Sequence, residues 1–240
     1  LYAAIDAPEI ARDLDKLDAD CAAFETAYKG RIAEETAKPG GGAWLAEAVR
    51  SYEAIDDLAG RLGSYAGLVH AGNTVDPVTS KFYGDISERI TAASVHLLFF
   101  ALELNRVDDA VIARAMETPA LGHYRPWIED LRKDKPYQLE DRVEQLFHEK
   151  SVTAYGAWNR QFDQTIAALR FKVGTKELAI EPTLTLLQDR DPAKRRAAAQ
   201  ALARTFKANE RTFALITNTL AKDKEISDRW RGFQDIADSR

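Results

Sequence analysis

The sequence predicts a mainly α-helical protein, in which long antiparallel helices form a bundle or arm and are followed by shorter helices with one small β-hairpin. Three observations carry this. Apolar residues recur in steps of three and four over many consecutive turns, the breaks between these stretches are short and rich in Gly and Pro, and one segment near 169–181 switches to alternation. The chain has 240 residues, of which 45% are apolar and 30% charged, the balance of a globular protein able to bury a core.

Asp6 is the expected N-cap of the first helix, with Pro8 in its first turn and Glu9 at the capping-box position. Ile10, Leu14, Leu17, Cys21, Phe24, Tyr28 and Ile32 then form one seam, which predicts a single helix about 35 Å long at 1.5 Å per residue. The run KPGGG at Lys38 to Gly42 ends it. A second helix is predicted from Ala43 to His70, with Trp44, Ala48, Tyr52, Ile55, Leu62 and Val69 on one stripe. HAGNTVDP breaks it, and Asp76-Pro77 opens a third helix carrying Phe82, Ile86, Ile90, Leu97, Phe100 and Leu104. Short breaks between long helices predict antiparallel packing, so residues 1–117 are expected to form a three-helix arm closed by a short helix from Asp109 to Glu117.

Residues 118–240 read as a second region. A Pro-punctuated patch, TPALGHYRPWIEDLRKDKPYQL, precedes a helix from Glu140 to Lys150. Ser151 or Thr153 is the expected cap of the next, which ends near Ala168. Leu169, Phe171 and Val173 alternate, Gly174-Thr175-Lys176 turns, and Leu178 and Ile180 alternate again, which is the hairpin. Helices from Pro192 to about Leu220 and from Lys222 onward complete the pattern. No repeat of 20 to 50 residues is present, which argues against a solenoid. The last stretch, DRWRGFQDIADSR, follows a helix without a polar tail, so the chain reads as cut rather than finished.

Composition excludes several classes. With 33 basic and 38 acidic residues the net charge is -5, against a nucleic-acid binder, which needs a basic face. The one basic cluster, RDPAKRR at Arg190 to Arg196, is diluted by Asp189 and Asp191 and reads as a solvated helix face. No apolar run approaches the roughly 18 residues of a membrane span, and VHLLFFALEL reads as a buried helix. No signal peptide is visible. One cysteine, Cys21, excludes an intramolecular disulfide and fits a reducing cytoplasm. It lies on the first apolar seam and reads as a small core residue.

Four histidines are the candidates for chemistry. His70 stands at a predicted helix end, where a cation is favoured by the helix dipole and caps the last turn. His96 reads as a hydrogen-bonded core or interface residue, and His123 as a loop residue packed beside Tyr124 and Trp127. His148-Glu149 has the first half of the zinc-protease helix H-E-x-x-H, but Val152 stands where the second histidine belongs. Glu144 and His148, spaced i, i+4, share a helix face and could supply two metal ligands, whereas a catalytic zinc needs three protein ligands and a water. The competing reading is a surface ion pair. No G-x-S-x-G elbow, Walker loop or dinucleotide fingerprint is present, and PGGG at Pro39 to Gly42 joins two helices instead of following a strand.

The second half nevertheless carries a resemblance. YQLEDRVEQLFHEKSVTAYGAWNRQFDQTIAALRFKV, followed by ELAIEPTLTLLQDRDPAKRRAAAQALARTFKANERTFALITNTLAKDKEISDRWRGF, resembles the oligoendopeptidase F branch of the thimet-type zinc oligopeptidases, and the opening LYAAIDAPEIARDLDKLDADCAAFETAYKGRI is similar to the start of those proteins. The likeness is most specific from Tyr137 to Phe233. It implies that this chain is the N-terminal region of a cytoplasmic zinc metallopeptidase that hydrolyses short peptides in an enclosed channel, with this part as channel wall and lid. The zinc and the H-E-x-x-H helix would lie beyond Arg240, in a C-terminal catalytic domain that is the partner of this region. On that reading, no catalytic or metal-ligating residue falls in this chain, its substrate-binding residues are unspecified, no cofactor is expected in it, and alone it is inactive. The edge of the hairpin near Lys172 to Ile180 is a candidate for adding an extended peptide strand. Two other readings compete: a stand-alone helical protein-interaction module without activity, and a metal-binding bundle built on Glu144 and His148.

Overall fold

The first helix starts where the sequence places it but is not capped as expected. In the computed structural model, which describes residues 1–239, helix α1 (Pro8–Tyr28) follows Ala7, an extended residue that makes no side-chain cap bond. Asp6 therefore does not cap it, and Pro8 at the first position carries the initiation through its fixed φ. The predicted seam is also split. Gly30 takes φ +77°, the left-handed conformation open to glycine, so the chain turns and Ile32 falls on a separate short helix, α2 (Ile32–Ala37). Ile32 is still fully buried, so periodicity read its environment correctly and its connection wrongly.

Helix α3 (Gly41–Gly72) starts after Gly40, whose φ is +83°. A methyl group on Gly42 would lie 2.5 Å from the Ala115 carbonyl oxygen and 2.3 Å from Thr118 Oγ1, so glycine lets α3 approach the later chain. Helix α4 (Pro77–Ser94) is capped by Asp76, whose carboxylate accepts the Thr79 N–H at 3.0 Å. The third predicted helix is interrupted by a 3-10 turn at Val95–Leu97 before α5 (Leu98–Arg106). Ser87, Thr91 and Ser94 each donate a hydroxyl hydrogen bond to the carbonyl four residues back, a local competition that bends helices and accounts for the break. Helix α6 (Asp109–Ala115) is capped by Asp108, which accepts from the N–H groups of Ala110 and Val111.

Helices α7 (Pro119–Gly122) and α8 (Arg125–Leu131) and a 3-10 turn at Arg132–Tyr137 lead to α9 (Asp141–Lys150) and α10 (Tyr155–Ala168). Neither Ser151 nor Thr153 caps α10. Ala154 precedes it without a side-chain bond, the Thr153 hydroxyl donates back to the Lys150 carbonyl at 3.2 Å, and only the Ser151 carbonyl is used, accepting from Gly156. Strands β1 (Phe171–Val173) and β2 (Lys176–Leu178) pair antiparallel, with Phe171 opposite Leu178 and Val173 opposite Lys176, around Gly174 at φ +62°. Helix α11 (Ile180–Thr185) and a 3-10 turn follow, then α12 (Pro192–Ala208), capped by Asp191, and α13 (Glu210–Arg231). The expected break at 221 is absent. It falls at Asn209, whose Nδ2 donates to the Thr205 carbonyl at 2.9 Å and so ends α12 from its own side chain.

Two cores result. The larger joins α1, α3, α4, α5 and the short helices after them through Leu17, Leu45, Leu62, Phe100, Leu104 and Ile128. Its aromatic centre packs Phe24 edge-on to Phe100 at 5.1 Å and stacks Tyr52 on Phe100 at 5.3 Å, contacts worth about 0.5–1.5 kcal/mol each beyond their burial. The smaller core holds Leu169, Phe171, Ala201 and Leu202, with Phe206 and Phe213 against it. Among the described residues no single helix is long and apolar enough to cross a membrane. The VHLLFFALEL run is interior, with Leu97, Phe99, Phe100 and Leu104 all buried.

Candidate functional site

Between the two cores α4, α5, α9 and α13 enclose a cleft of about 1180 Å³. Its walls are apolar over much of their area: Leu98 and Leu102 come from α5, Val143 and Phe147 from α9, Ile226 and Trp230 from α13. Trp230 and Leu146 remain more than half exposed, an unusual position for large apolar side chains. The walls are tied together at one end by an ion pair. Arg231 donates from Nη1 and Nη2 to the two oxygens of Glu144 at 2.7 and 2.8 Å, and Nη1 also donates to the Tyr137 carbonyl at 3.3 Å. Glu144 accepts in addition the Leu139 N–H at 2.9 Å. Burial pushes the Glu144 carboxyl up, but the Arg231 and Leu139 bonds outweigh it and hold the group below its ordinary value.

Glu144 and His148 therefore serve different partners. His148 Nε2 lies 3.2 Å from the Thr91 carbonyl and 3.0 Å from Ser94 Oγ, tying α9 to α4. Because a carbonyl oxygen only accepts, the contact with Thr91 requires Nε2 to carry a proton. The surface-ion-pair reading of these two residues fails as well, because each turns to a different helix. Among the described residues no group of three His, Cys, Asp or Glu side chains could hold a metal ion. With Glu144 committed to Arg231 and His148 to Thr91 and Ser94, the two do not form the metal-ligand pair that their spacing suggested.

Two residues that line the cleft each carry a buried polar atom with nothing to bond. Asn105, on the last turn of α5, is 4% exposed, and its Oδ1 has no partner. Gln138 Nε2 donates to the Leu102 carbonyl at 3.1 Å, while its Oε1 is buried and unpaired. A buried acceptor left unmade costs about 1–3 kcal/mol, so two in one cleft call for an explanation.

The other predicted residues lie elsewhere. His70 is not a cap: it is buried, its ring stacks on Tyr83 at 5.0 Å with an interplanar angle of 1°, and both ring nitrogens lack partners. His96 Nδ1 pairs with Glu25 Oε2 across α1, at a partly exposed site. His123 is exposed, packed edge-on to Tyr124 at 5.0 Å. Cys21 is fully buried, and burial pushes its thiol up to about 11. Lys194, Arg195 and Arg196 are exposed, with Lys194 paired to Asp189, as a solvated helix face requires. A smaller groove of about 520 Å³ lies beside β2, between Leu178, Pro182 and Ala197. Sequence reasoning missed Asn105, Gln138, Trp230 and Arg231. Helical spacing signals Glu144, but nothing local links it to an arginine 87 residues away.

The family described as Oligopeptidase F matches the chain over residues 103–171, the segment that supplies Asn105, Gln138, Glu144 and His148. No curated protein matches it in sequence. Oligoendopeptidase-F from Enterococcus faecium shares its fold, with a TM-score of 0.81 at 19% identity over 96% of this chain and 44% of that one. A protein from Chlamydophila abortus described as a "putative peptidase" is similar over 92% of this chain and 39% of its own, with a TM-score of 0.52 at 15% identity. The chain thus spans less than half the length of either structure. The resemblance read from the residues is matched by a family model over part of the chain and by the fold over nearly all of it.

Proposed function

We propose that this chain is the N-terminal, non-catalytic region of a cytoplasmic zinc oligoendopeptidase that hydrolyses short peptides in an enclosed channel. The observation that carries the reading is the fold: 96% of this chain coincides with 44% of oligoendopeptidase-F. In this reading the helical arm of residues 1–117 is a rigid wall and lid, and residues 118–240 lead into the catalytic part. The arm's continuous core suits a wall, because close-packed helices transmit load without deforming. The half-exposed Trp230 and Leu146 suit a surface that borders a further domain or a peptide.

Zinc and its H-E-x-x-H ligands belong, in this proposal, to the polypeptide beyond Arg240, where the metal would polarise the scissile carbonyl and activate water. The chain's own contribution is steric and orienting: its helices exclude folded proteins and line the approach with apolar side chains. Alone, the chain is inactive. Sequencing the parent reading frame past Arg240 tests this. A frame that continues for several hundred residues and contains H-E-x-x-H with a further Glu supports the proposal, and a stop codon there would favour the interaction-module reading.

A further inference from the structure

We propose that the open edge of β2 docks a short extended peptide, which adds as an antiparallel third strand and sets an apolar and, two positions later, an acidic side chain in the groove beside it. The hairpin has two edges, and only one is covered. Val173 and Lys176 close a two-residue loop, so they form a hydrogen-bonded pair, and the next pair, Lys172 and Glu177, turns its backbone groups outward. The β1 side shows this direction in its contacts. There the Lys172 carbonyl accepts from Arg204 Nη2 at 3.2 Å and the Arg170 carbonyl from Thr205 Oγ1 at 3.3 Å, so side chains of α12 cover that edge. On the β2 side nothing answers. Among the described residues no group outside the hairpin bonds to the N–H or carbonyl of Glu177, which is exposed. One peptide residue placed opposite Glu177 fills both, in the manner of strand addition.

Side-chain alternation then fixes what the peptide carries. The residue bonded to Glu177 faces solvent, and its two neighbours fall on the face of Lys176 and Leu178, which line a groove of about 520 Å³. In an antiparallel strand the preceding residue lies opposite Leu178, in a groove whose other walls include Pro182, Leu186 and Ala197, and an apolar side chain matches it. The following residue lies opposite Lys176. Lys176 and Lys194 are the charged groups that line the groove; Lys194 is paired with Asp189, whereas Lys176 makes no ion pair among the described residues, so an acidic side chain complements it. From N to C, the order is apolar, any, acidic. Three strand residues are too few to template pairing with another sheet, and one edge with one groove offers far less than the roughly 800 Å² that a protein partner buries on each side. The occupant is therefore a short peptide. The inference stands apart from the peptidase reading, because this groove shares no lining residue with the cleft.

The test is an NMR titration of the isotope-labelled 240-residue chain with the peptide Ac-Thr-Leu-Thr-Glu-Thr-NH2. Amide signals of Lys176, Glu177 and Leu178 should shift, while those of Leu102 and Phe147 in the cleft stay in place. Methylating the backbone nitrogen of the central threonine removes the donor to the Glu177 carbonyl and should weaken binding about tenfold. Exchanging Leu and Glu keeps the composition and should weaken it by a similar factor. Lys176→Gln, at an exposed position that leaves the fold intact, should weaken the parent peptide by a few fold and leave unchanged a peptide with Gln in place of Glu. Absence of shifts at β2 in a chain with a dispersed spectrum would overturn the inference. Equal affinity for the parent, N-methylated and exchanged peptides would do the same, by showing contact without strand pairing. Hydrolysis by the extended polypeptide, or its absence, bears on the peptidase reading alone, because the readout here is binding at β2.

Discussion

Arg231 and Glu144, 87 residues apart, meet in a two-point ion pair at 2.7 and 2.8 Å that joins the end of α13 to α9 across the mouth of the cleft. Both side chains are largely shielded from solvent. Leaving either charge without its partner removes two charge-assisted bonds, so Arg231→Met or Glu144→Gln is expected to lower stability by about 2–3 kcal/mol. Urea unfolding followed by circular dichroism measures it, and a loss under about 0.5 kcal/mol would show the pair to be a bystander.

The same pair sets an acid limit. Glu144 has its carboxyl held below the ordinary carboxylate value, burial being outweighed by Arg231 and Leu139. A group depressed in the folded state contributes stability that is complete above its unfolded pKa and is lost as pH falls through the folded one. The wild-type chain should therefore lose stability below the ordinary carboxylate range more steeply than Glu144→Gln. Parallel pH profiles for the two proteins would contradict this.

Gly42 is expected to tolerate no side chain. A methyl group there meets the Ala115 carbonyl and the Thr118 hydroxyl well inside contact distance, and one of the two is backbone. Gly42→Ala should cost about 1–3 kcal/mol through overpacking, although alanine is the better helix former. A thermal midpoint equal to or above wild type would show that α3 shifts freely.

Cys21 should be inert in the native chain. It is fully buried, and its thiol is pushed up to about 11, so at pH 8 almost none is thiolate. Reaction with a disulfide reagent should wait for unfolding. Rapid labelling in native buffer would place α1 in a mobile, poorly packed state.

Phe171 closes the smaller core against Phe206 at 5.5 Å. Phe171→Ala should cost about 3–5 kcal/mol. Hydrogen exchange should show the loss across α10, the hairpin and α12, leaving α1 and α3 protected, because the two cores share no buried residue. Uniform loss across both would mean that they unfold as one.

Much of this fold could be read from the residues, because helical periodicity reports burial directly: Leu14, Leu17, Cys21, Phe24 and Ile32 are all interior. The failures lie where a single side chain or glycine overrides the pattern. Gly30 turns the first seam, Asn209 ends α12 early, and Ser94 with its neighbours breaks the third helix. The cleft was less legible. Its partners come from α4, α5, α9 and α13, and no local spacing predicts that His148 would meet Ser94 or Glu144 would meet Arg231. Orphaned acceptors such as Asn105 Oδ1 leave no trace in sequence, since they are defined by the donor that is missing.

Peptide hydrolysis tests the central claim most directly. An internally quenched short peptide is offered to the 240-residue chain and to the polypeptide extended past Arg240. The account predicts hydrolysis by the extended polypeptide alone, abolished by a zinc chelator and restored by added zinc. Hydrolysis by the 240-residue chain at a matching rate, or none by the extended polypeptide when folded and loaded with zinc, would contradict it.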